Sequence, residues 1–295
     1  MNTARTGETA AAKAVALHLL VLVALVLPAA AATLAAQLKP ARIVSLIPAV
    51  TEMLFAIGAG DQVVGVSTFD TYPKEATTRP RVGGLFDPNF EAILTLRPDL
   101  VIVYGSQEEL IRRLGVASIP IYSYRHAGLA DITTTLRAVG KRVGHGSEAD
   151  ALAANIERDL DAVRKSVAGK PRPRTLMVFG REEASMRGLY VNGGVGFLHD
   201  MLEAAGGANV MADVKREGLQ ISLEQLLSRA PDVVLELRVT ERWASDRQAR
   251  EEAAWKAVSI PAVRAGRVHF LPDEFLTVPG PRVVSAVKAI ADVLR

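Results

Sequence analysis

Two stretches decide the fold: Asn89-Phe-Glu-Ala-Ile-Leu-Thr-Leu-Arg-Pro-Asp-Leu-Val-Ile-Val103 and Ser222-Leu-Glu-Gln-Leu-Leu-Ser-Arg-Ala-Pro-Asp-Val-Val-Leu-Glu236. Laid against each other, Glu91 matches Glu224, Leu94 matches Leu227, Pro98-Asp99 matches Pro231-Asp232, and Val101 matches Val234. Each copy reads as an N-cap residue, a short helix, a Pro-Asp turn and a buried strand. A unit of helix and strand that occurs twice predicts two related α/β lobes.

Outward from the first copy, short β-branched runs alternate with helical patterns, the mark of βαβ units and a parallel sheet. Strands are expected at Ile43–Leu46, Val63–Val66, Leu100–Val103 and Ile119–Tyr122. Helices are expected at Thr51–Ile57, closed by Gly58, at Phe90–Leu96, and at Glu108–Leu114, closed by Gly115. Around the second copy the expected elements are strands at Thr175–Phe179, Val233–Leu237 and Val268–Leu271, and helices at Phe197–Ala205, Leu223–Ser228 and Val283–Leu294.

Between the copies the pattern turns helical. Asp131 reads as the cap of a helix carrying Ile132, Leu136, Val139 and Val143 on one face. Ser147 with Asp150 three residues on reads as the capping box of a longer helix, whose stripe is Leu152, Ile156, Leu160, Val163 and Val167. The expected architecture is two Rossmann-like lobes with parallel sheets, joined by a single long α-helix. The expected boundaries are 37–130 for the first lobe, 131–168 for the connecting helices and 169–295 for the second. A stiff helical connector disfavours a large hinge closure.

Residues 1–36 read as an export signal. Arg5 and Lys13 precede an apolar run from Ala14 to Leu27, followed by Pro28 and an Ala-rich stretch with cleavage sites after Ala31 or Ala36. The alternative is an uncleaved anchor, since the run through Ala36 approaches the roughly 20 residues of a membrane span. The chain contains no cysteine. That excludes disulfides, thiol nucleophiles, thiolate zinc sites and the lipidated cysteine of a bacterial lipoprotein. The expected location is periplasmic, free after cleavage. With 35 basic against 32 acidic residues among 295, there is no basic stripe for nucleic acid, and a monomer is expected.

In doubly wound sheets, ligands sit outside the carboxyl ends of the strands. The residues expected there include Phe69, Tyr72, Phe86, Tyr104, Tyr124, Trp243 and Phe275, with Arg125, Arg181, Arg238 and Arg282 nearby. Aromatic walls with a few polar groups suit a large, flat, amphipathic ligand. Tyr72, Tyr104 and His126 are of types that can ligate haem iron, although each also fits a packing or hydrogen-bonding role. His145, His199 and His269 are not paired at metal-ligand spacing, which disfavours a bare zinc or manganese receptor and leaves no metal site or resident cofactor expected. Gly58-Ala-Gly60 and Gly193-Gly-Val-Gly196 lack the dinucleotide fingerprint, and neither a nucleophile elbow nor a His-Glu-x-x-His motif occurs. No enzyme is expected. Glu91 and Glu224, each in a first helical turn, are either macrodipole partners or a matched pair of docking acids.

The sequence resembles the helical-backbone class of periplasmic substrate-binding proteins, which deliver cobalamin, haem and ferric siderophores to ABC importers. The resemblance rests on Arg42-Ile-Val-Ser-Leu-Ile-Pro-Ala-Val-Thr-Glu52, Phe55-Ala-Ile-Gly-Ala-Gly60, Val64-Gly-Val66, Tyr72-Pro73, Val82-Gly-Gly84, Pro88-Asn89 with Glu91, Leu96-Arg-Pro-Asp-Leu-Val101, Leu202-Glu-Ala-Ala-Gly-Gly-Ala-Asn209, Ser222-Leu-Glu-Gln225 and Pro281-Arg282. It implies that Glu91 and Glu224 dock on arginines of a permease dimer. The pattern is most similar to cobalamin-binding members, whose cleft tryptophans are replaced here by Leu85 or Phe86, Tyr104, Gly218 and Phe275. From the residues at the strand ends, the expected ligand-binding set is Phe69, Tyr72, Phe86, Tyr104, Tyr124, Arg181, Trp243, Phe275 and Arg282. Haem or a ferric siderophore is the same-family alternative, and an extracytoplasmic hydrolase on this fold is the alternative of another class.

Overall fold

In the first half of the chain, strands β1 (Ile43–Ser45), β2 (Val63–Val66), β3 (Leu100–Tyr104) and β4 (Ile121–Tyr124) form one sheet in the order β2-β1-β3-β4, every pair parallel. The computed structural model describes residues 39–237 and 245–295. The expected leader, Arg238 and Trp243 lie outside the described residues. Helices α1 (Pro48–Ala56), α2 (Phe90–Thr95) and α3 (Glu108–Val116) connect the strands.

Helix α1 begins three residues before the expected Thr51, because Pro48 occupies the first helical position, where its missing N–H costs nothing and its fixed φ suits the helix. Gly58 has a φ of 82°, as a left-handed stop requires. Gly115 is not the stop of α3: the helix runs to Val116, and Ser118, with a φ of 54°, makes the reversal. That displaces the following strand to Ile121–Tyr124, two residues beyond its expected start.

Two packed helices follow, α4 (Leu129–Val143) and the 22-residue α5 (Gly146–Val167). Asp131 is not the cap of α4. It sits at the third helical position, its Oδ2 accepting the Gly128 N–H at 2.6 Å, while Asp200 Oδ2 accepts the Leu129 N–H at 2.9 Å. The Ser147–Asp150 capping box is not formed either. The cap of α5 is His145 without a side-chain bond, and Asp150 instead faces Arg137 of α4 at 3.6 Å. The apolar stripe of α5 is as expected, with Ile156, Leu160 and Val163 buried.

The second sheet contains β5 (Arg174–Gly180), β6 (Leu189–Asn192), β7 (Ala208–Asn209), β8 (Gly218–Ile221), β9 (Val233–Leu237) and β10 (Val268–Leu271), in the order β10-β9-β5-β6-β8 with β7 beside the start of β5. The β5-β9 and β9-β10 pairs are parallel, but β6 is antiparallel to both β5 and β8. This sheet is therefore mixed, not parallel as expected. Its helices are α6 (Phe197–Ala204), α7 (Leu223–Arg229), α8 (Ser245–Lys256), α9 (Pro261–Arg264) and α10 (Val283–Leu294). The expectation missed β6, β7, β8, α8 and α9, whose runs are short or polar.

Apolar burial follows three layers. One continuous cluster joins both sheets to α1, α4, α5, α6 and α10, including Ile43, Met53, Leu136, Ile156, Met201, Leu235 and Ile290. A second packs Ile93 of α2 and Leu110 and Leu114 of α3 on the outer face of the first sheet. A third packs Trp255 of α8, Ile260 and Leu226 on the outer face of the second. The shared inner cluster makes Ala41–Arg295 one compact unit.

Candidate functional site

The repeat works at the level of atoms. Asn89 Oδ1 accepts the Ala92 N–H at 3.0 Å, and Ser222 Oγ accepts the Gln225 N–H at 3.1 Å, so both helices carry their expected caps. Each helix ends in a residue of positive φ, Arg97 at 44° and Ala230 at 42°. The next-but-one aspartate then clamps the start of a strand: Asp99 accepts the N–H groups of Ala41 and Arg42 at 2.8 and 2.9 Å, and Asp232 accepts that of Arg174 at 3.3 Å. Arg42 and Arg174 in turn donate to carbonyls at the helix ends, Leu96 at 2.8 Å and Arg229 at 2.6 Å. Because each helix runs back to the amino end of its sheet, its first turn stands at the carboxyl end. Glu91 and Glu224 are thus both exposed on the side where the strands finish. Glu91 has an ion pair with Arg113 at 3.2 Å, on a side chain that remains 78% exposed.

At the carboxyl end of the first sheet stand Phe69, Tyr72 and Phe86, with 64, 45 and 92% of their surfaces exposed. Gly84 underlies Phe69: a Cβ there would fall 2.5 Å from the ring. The loop carrying Gly84 is held by Gln107, whose Nε2 donates to the carbonyls of Gly84 and Leu85 at 3.2 and 3.1 Å. Three large exposed aromatics on one edge are unusual for a surface that meets only water.

Behind them runs a second aromatic row. Tyr104 and Tyr124 meet edge to face with centroids 5.8 Å apart, and Tyr124 stacks on His126 at 6.4 Å. His126 in turn meets Phe197 of the second half at 5.5 Å. Tyr124 is buried and Tyr104 half-buried, so Tyr124 is a floor and core residue rather than a wall. Burial raises the Tyr104 hydroxyl above its usual range and lowers the His126 imidazole, so both favour their neutral forms.

Two expected ligand contacts are engaged within the protein. Arg181 is not at the ligand face as expected: its side chain is 2% exposed, 3.1 Å from Glu236 and paired with Glu251, while Trp255 Nε1 donates to Glu236 at 2.5 Å. Its guanidinium belongs to a buried network under the second sheet. Arg282 does lie at the site, but donates to Glu52 from Nε at 2.9 Å and Nη2 at 2.5 Å. Its guanidinium lies 4.0 Å from the Tyr72 ring centroid and 5.5 Å from that of Phe275. Arg125 is exposed and lies along Gly105, where a Cβ would stand 3.3 Å from its Cγ.

The sequence reading missed Phe179 and Tyr190, which meet edge to face at 5.1 Å where β5 ends, Tyr190 being 43% exposed. Gly218 makes room for them, since a Cβ there would fall 2.8 Å from the Phe179 ring. The available signal was the glycine: Gly218 stands where a bulky ring would otherwise be, and the ring space is filled from β5 and β6 instead. Beneath the site, Asp70 is 1% exposed, and burial pushes its carboxyl up to about 7. A surface cavity of about 810 Å³ lies elsewhere, at the amino end of the second sheet, lined by Lys170, Arg172, Asp232, Arg267 and Arg295 among others. Among the described residues, no cluster of three or more His, Asp or Glu could hold a metal ion, and no helix is long and apolar enough to cross a membrane.

Two α/β halves around a helical connector carry exposed aromatics where their strands end. The periplasmic binding protein family model matches residues 43–275, and the chain belongs to that family. An uncharacterized ABC transporter substrate-binding lipoprotein of Bacillus subtilis (strain 168) is 28% identical over 86% of this chain and 80% of its own length. The periplasmic vitamin B12 binding protein of Vibrio cholerae superposes with a TM-score of 0.74 at 26% identity, covering 87% of this chain and 97% of that one. A periplasmic heme-binding protein of Roseiflexus sp. RS-1 in its apo form superposes with a TM-score of 0.73 at 27% identity, covering 86 and 97%.

Proposed function

We propose that the protein is the periplasmic receptor of an ABC importer, capturing cobalamin or a related corrinoid between its two halves and delivering it to the permease. The observation that carries this reading is the set of exposed rings, Phe69, Tyr72 and Phe86 on one half and Tyr190 on the other, at the carboxyl ends of two sheets in a family of binding proteins. A corrin ring offers a broad face for such walls, and neutral Tyr104 and His126 supply hydrogen bonds without an unpaired charge. The cargo is a ligand in transit, not a resident cofactor, and the site performs no chemistry on it. The boundaries 37–130, 131–168 and 169–295 are the divisions that serve this function, with residues 1–36 as the export signal. Haem is the second reading, favoured by the likeness to heme-binding structures and by Tyr72 and Tyr104 as available phenols.

Glu91 and Glu224, exposed at equivalent places on the ligand-side face, are the permease-docking acids of this reading. The test is uptake of labelled cyanocobalamin by cells in which this chain is the sole receptor. The unaltered chain supports uptake; Glu91→Arg with Glu224→Arg abolishes it while the purified variant binds cyanocobalamin with unchanged affinity. Uptake that survives the double reversal, or affinity lost with it, refutes the docking assignment. Uptake of haem but not of cobalamin selects the second reading.

A further inference from the structure

Arg282 stands at the start of α10 and reaches across the molecule to Glu52 of α1, two hundred and thirty residues away in sequence. The Glu52 side chain is 3% exposed and that of Arg282 20%. The same guanidinium faces Glu274 Oε1 at 3.7 Å, and Glu274 Oε2 accepts the Thr71 hydroxyl at 2.9 Å. Thr71 adjoins Tyr72, and Glu274 adjoins Phe275. The two rings flanking Arg282 therefore come one from each half of the protein, and so do the carboxylates that hold it.

We propose that Arg282 is the positioning residue of the cleft: it latches the two halves together through Glu52 and holds Tyr72 and Phe275 as a preformed aromatic wall, so that the ligand enters a cleft already set. The proposal rests on the reading of this cleft as the ligand site. A guanidinium suits the task because its edge pairs with a carboxylate at two points while its faces stay free for rings. Relative opening of the halves would strip Glu52, a buried carboxylate, of its cation, which a low-dielectric site strongly resists. The structure thus assigns to Arg282 a contact between halves where the sequence suggested a ligand contact.

Because the chain contains no cysteine, Ser106→Cys and Leu223→Cys, both exposed and one on each half, accept spin labels specifically. Pulsed electron–electron distance measurement on the labelled chain is expected to give one narrow distribution, unchanged by cyanocobalamin or haemin. Glu52→Gln and Arg282→Met each broaden it, and the double variant broadens it no further, since both remove one interaction. Arg282→Lys, which keeps one contact to Glu52 and fills similar space, gives an intermediate width and secures the comparison if the methionine variant folds poorly. Narrow distributions in all variants, or effects that add in the double variant, overturn the latch. Broadening as predicted in a chain that binds neither cyanocobalamin nor haemin keeps the latch and overturns the ligand reading instead.

Discussion

Asp70 shows how much one buried side chain can say about conditions. Its carboxyl titrates at about 7 in the folded chain against an ordinary value of 3.8, chiefly through burial, with the neighbouring Glu52 carboxylate adding to the rise. The folded protein therefore keeps a proton that the unfolded chain releases between pH 4 and pH 7. Stability is lost as pH rises through that window, by about 1.4 kcal/mol per pH unit at most. Urea titrations of the parent and of Asp70→Asn from pH 4 to 8 are expected to show this slope in the parent and a flatter profile in the variant; equal slopes contradict the assignment. Arg181 makes the opposite case, a buried cation needed by Glu236 and Glu251. Arg181→Met leaves both carboxylates without it and is expected to cost about 3 to 5 kcal/mol in the same assay. A loss under about 1 kcal/mol would mean that the network is not what fixes this region.

Among the elements, the repeated helix–turn–strand unit is fixed by matched caps and aspartate clamps. Asn89→Ala and Ser222→Ala each remove a cap and are expected to cost about 1 kcal/mol. Asp99 clamps two N–H groups and Asp232 one longer bond, so Asp99→Ala lowers the unfolding midpoint more than Asp232→Ala; the reverse order in calorimetry would contradict the clamp. These parts were legible in the sequence because cap, turn and strand residues signal locally. The ranges Val63–Val66, Val233–Leu237, Val268–Leu271 and Val283–Leu294 were expected as they are found. The antiparallel β6 and β8 were not legible, because Leu-Tyr-Val-Asn and Gly-Leu-Gln-Ile contain turn-type Asn and Gly and no run of β-branched residues to distinguish them from loop. Nor was the engagement of Arg181 and Arg282, which depends on carboxylates 55, 70 and 230 residues away and so on the tertiary fold. The aromatic rim was legible in part: Phe69, Tyr72 and Phe86 were placed by the rule for strand ends, while Phe179 and Tyr190 were hidden inside a strand and beside a glycine.

At the scale of the molecule, the connector and the Glu52–Arg282 pair describe a receptor whose halves keep their spacing. The shared apolar cluster leaves little surface to expose on opening without loss of hydrophobic stabilisation. On the proposed reading, a receptor of this kind selects by the shape and chemistry of its standing walls rather than by enclosing its cargo. Isothermal titration of the chain from residue 37 onward with cyanocobalamin and, separately, with haemin tests this account most directly. It predicts saturable one-to-one binding of cyanocobalamin, weakened at least tenfold when Tyr72 and Phe86 are both replaced by alanine. Absence of cyanocobalamin binding, with haemin bound one to one, would contradict it.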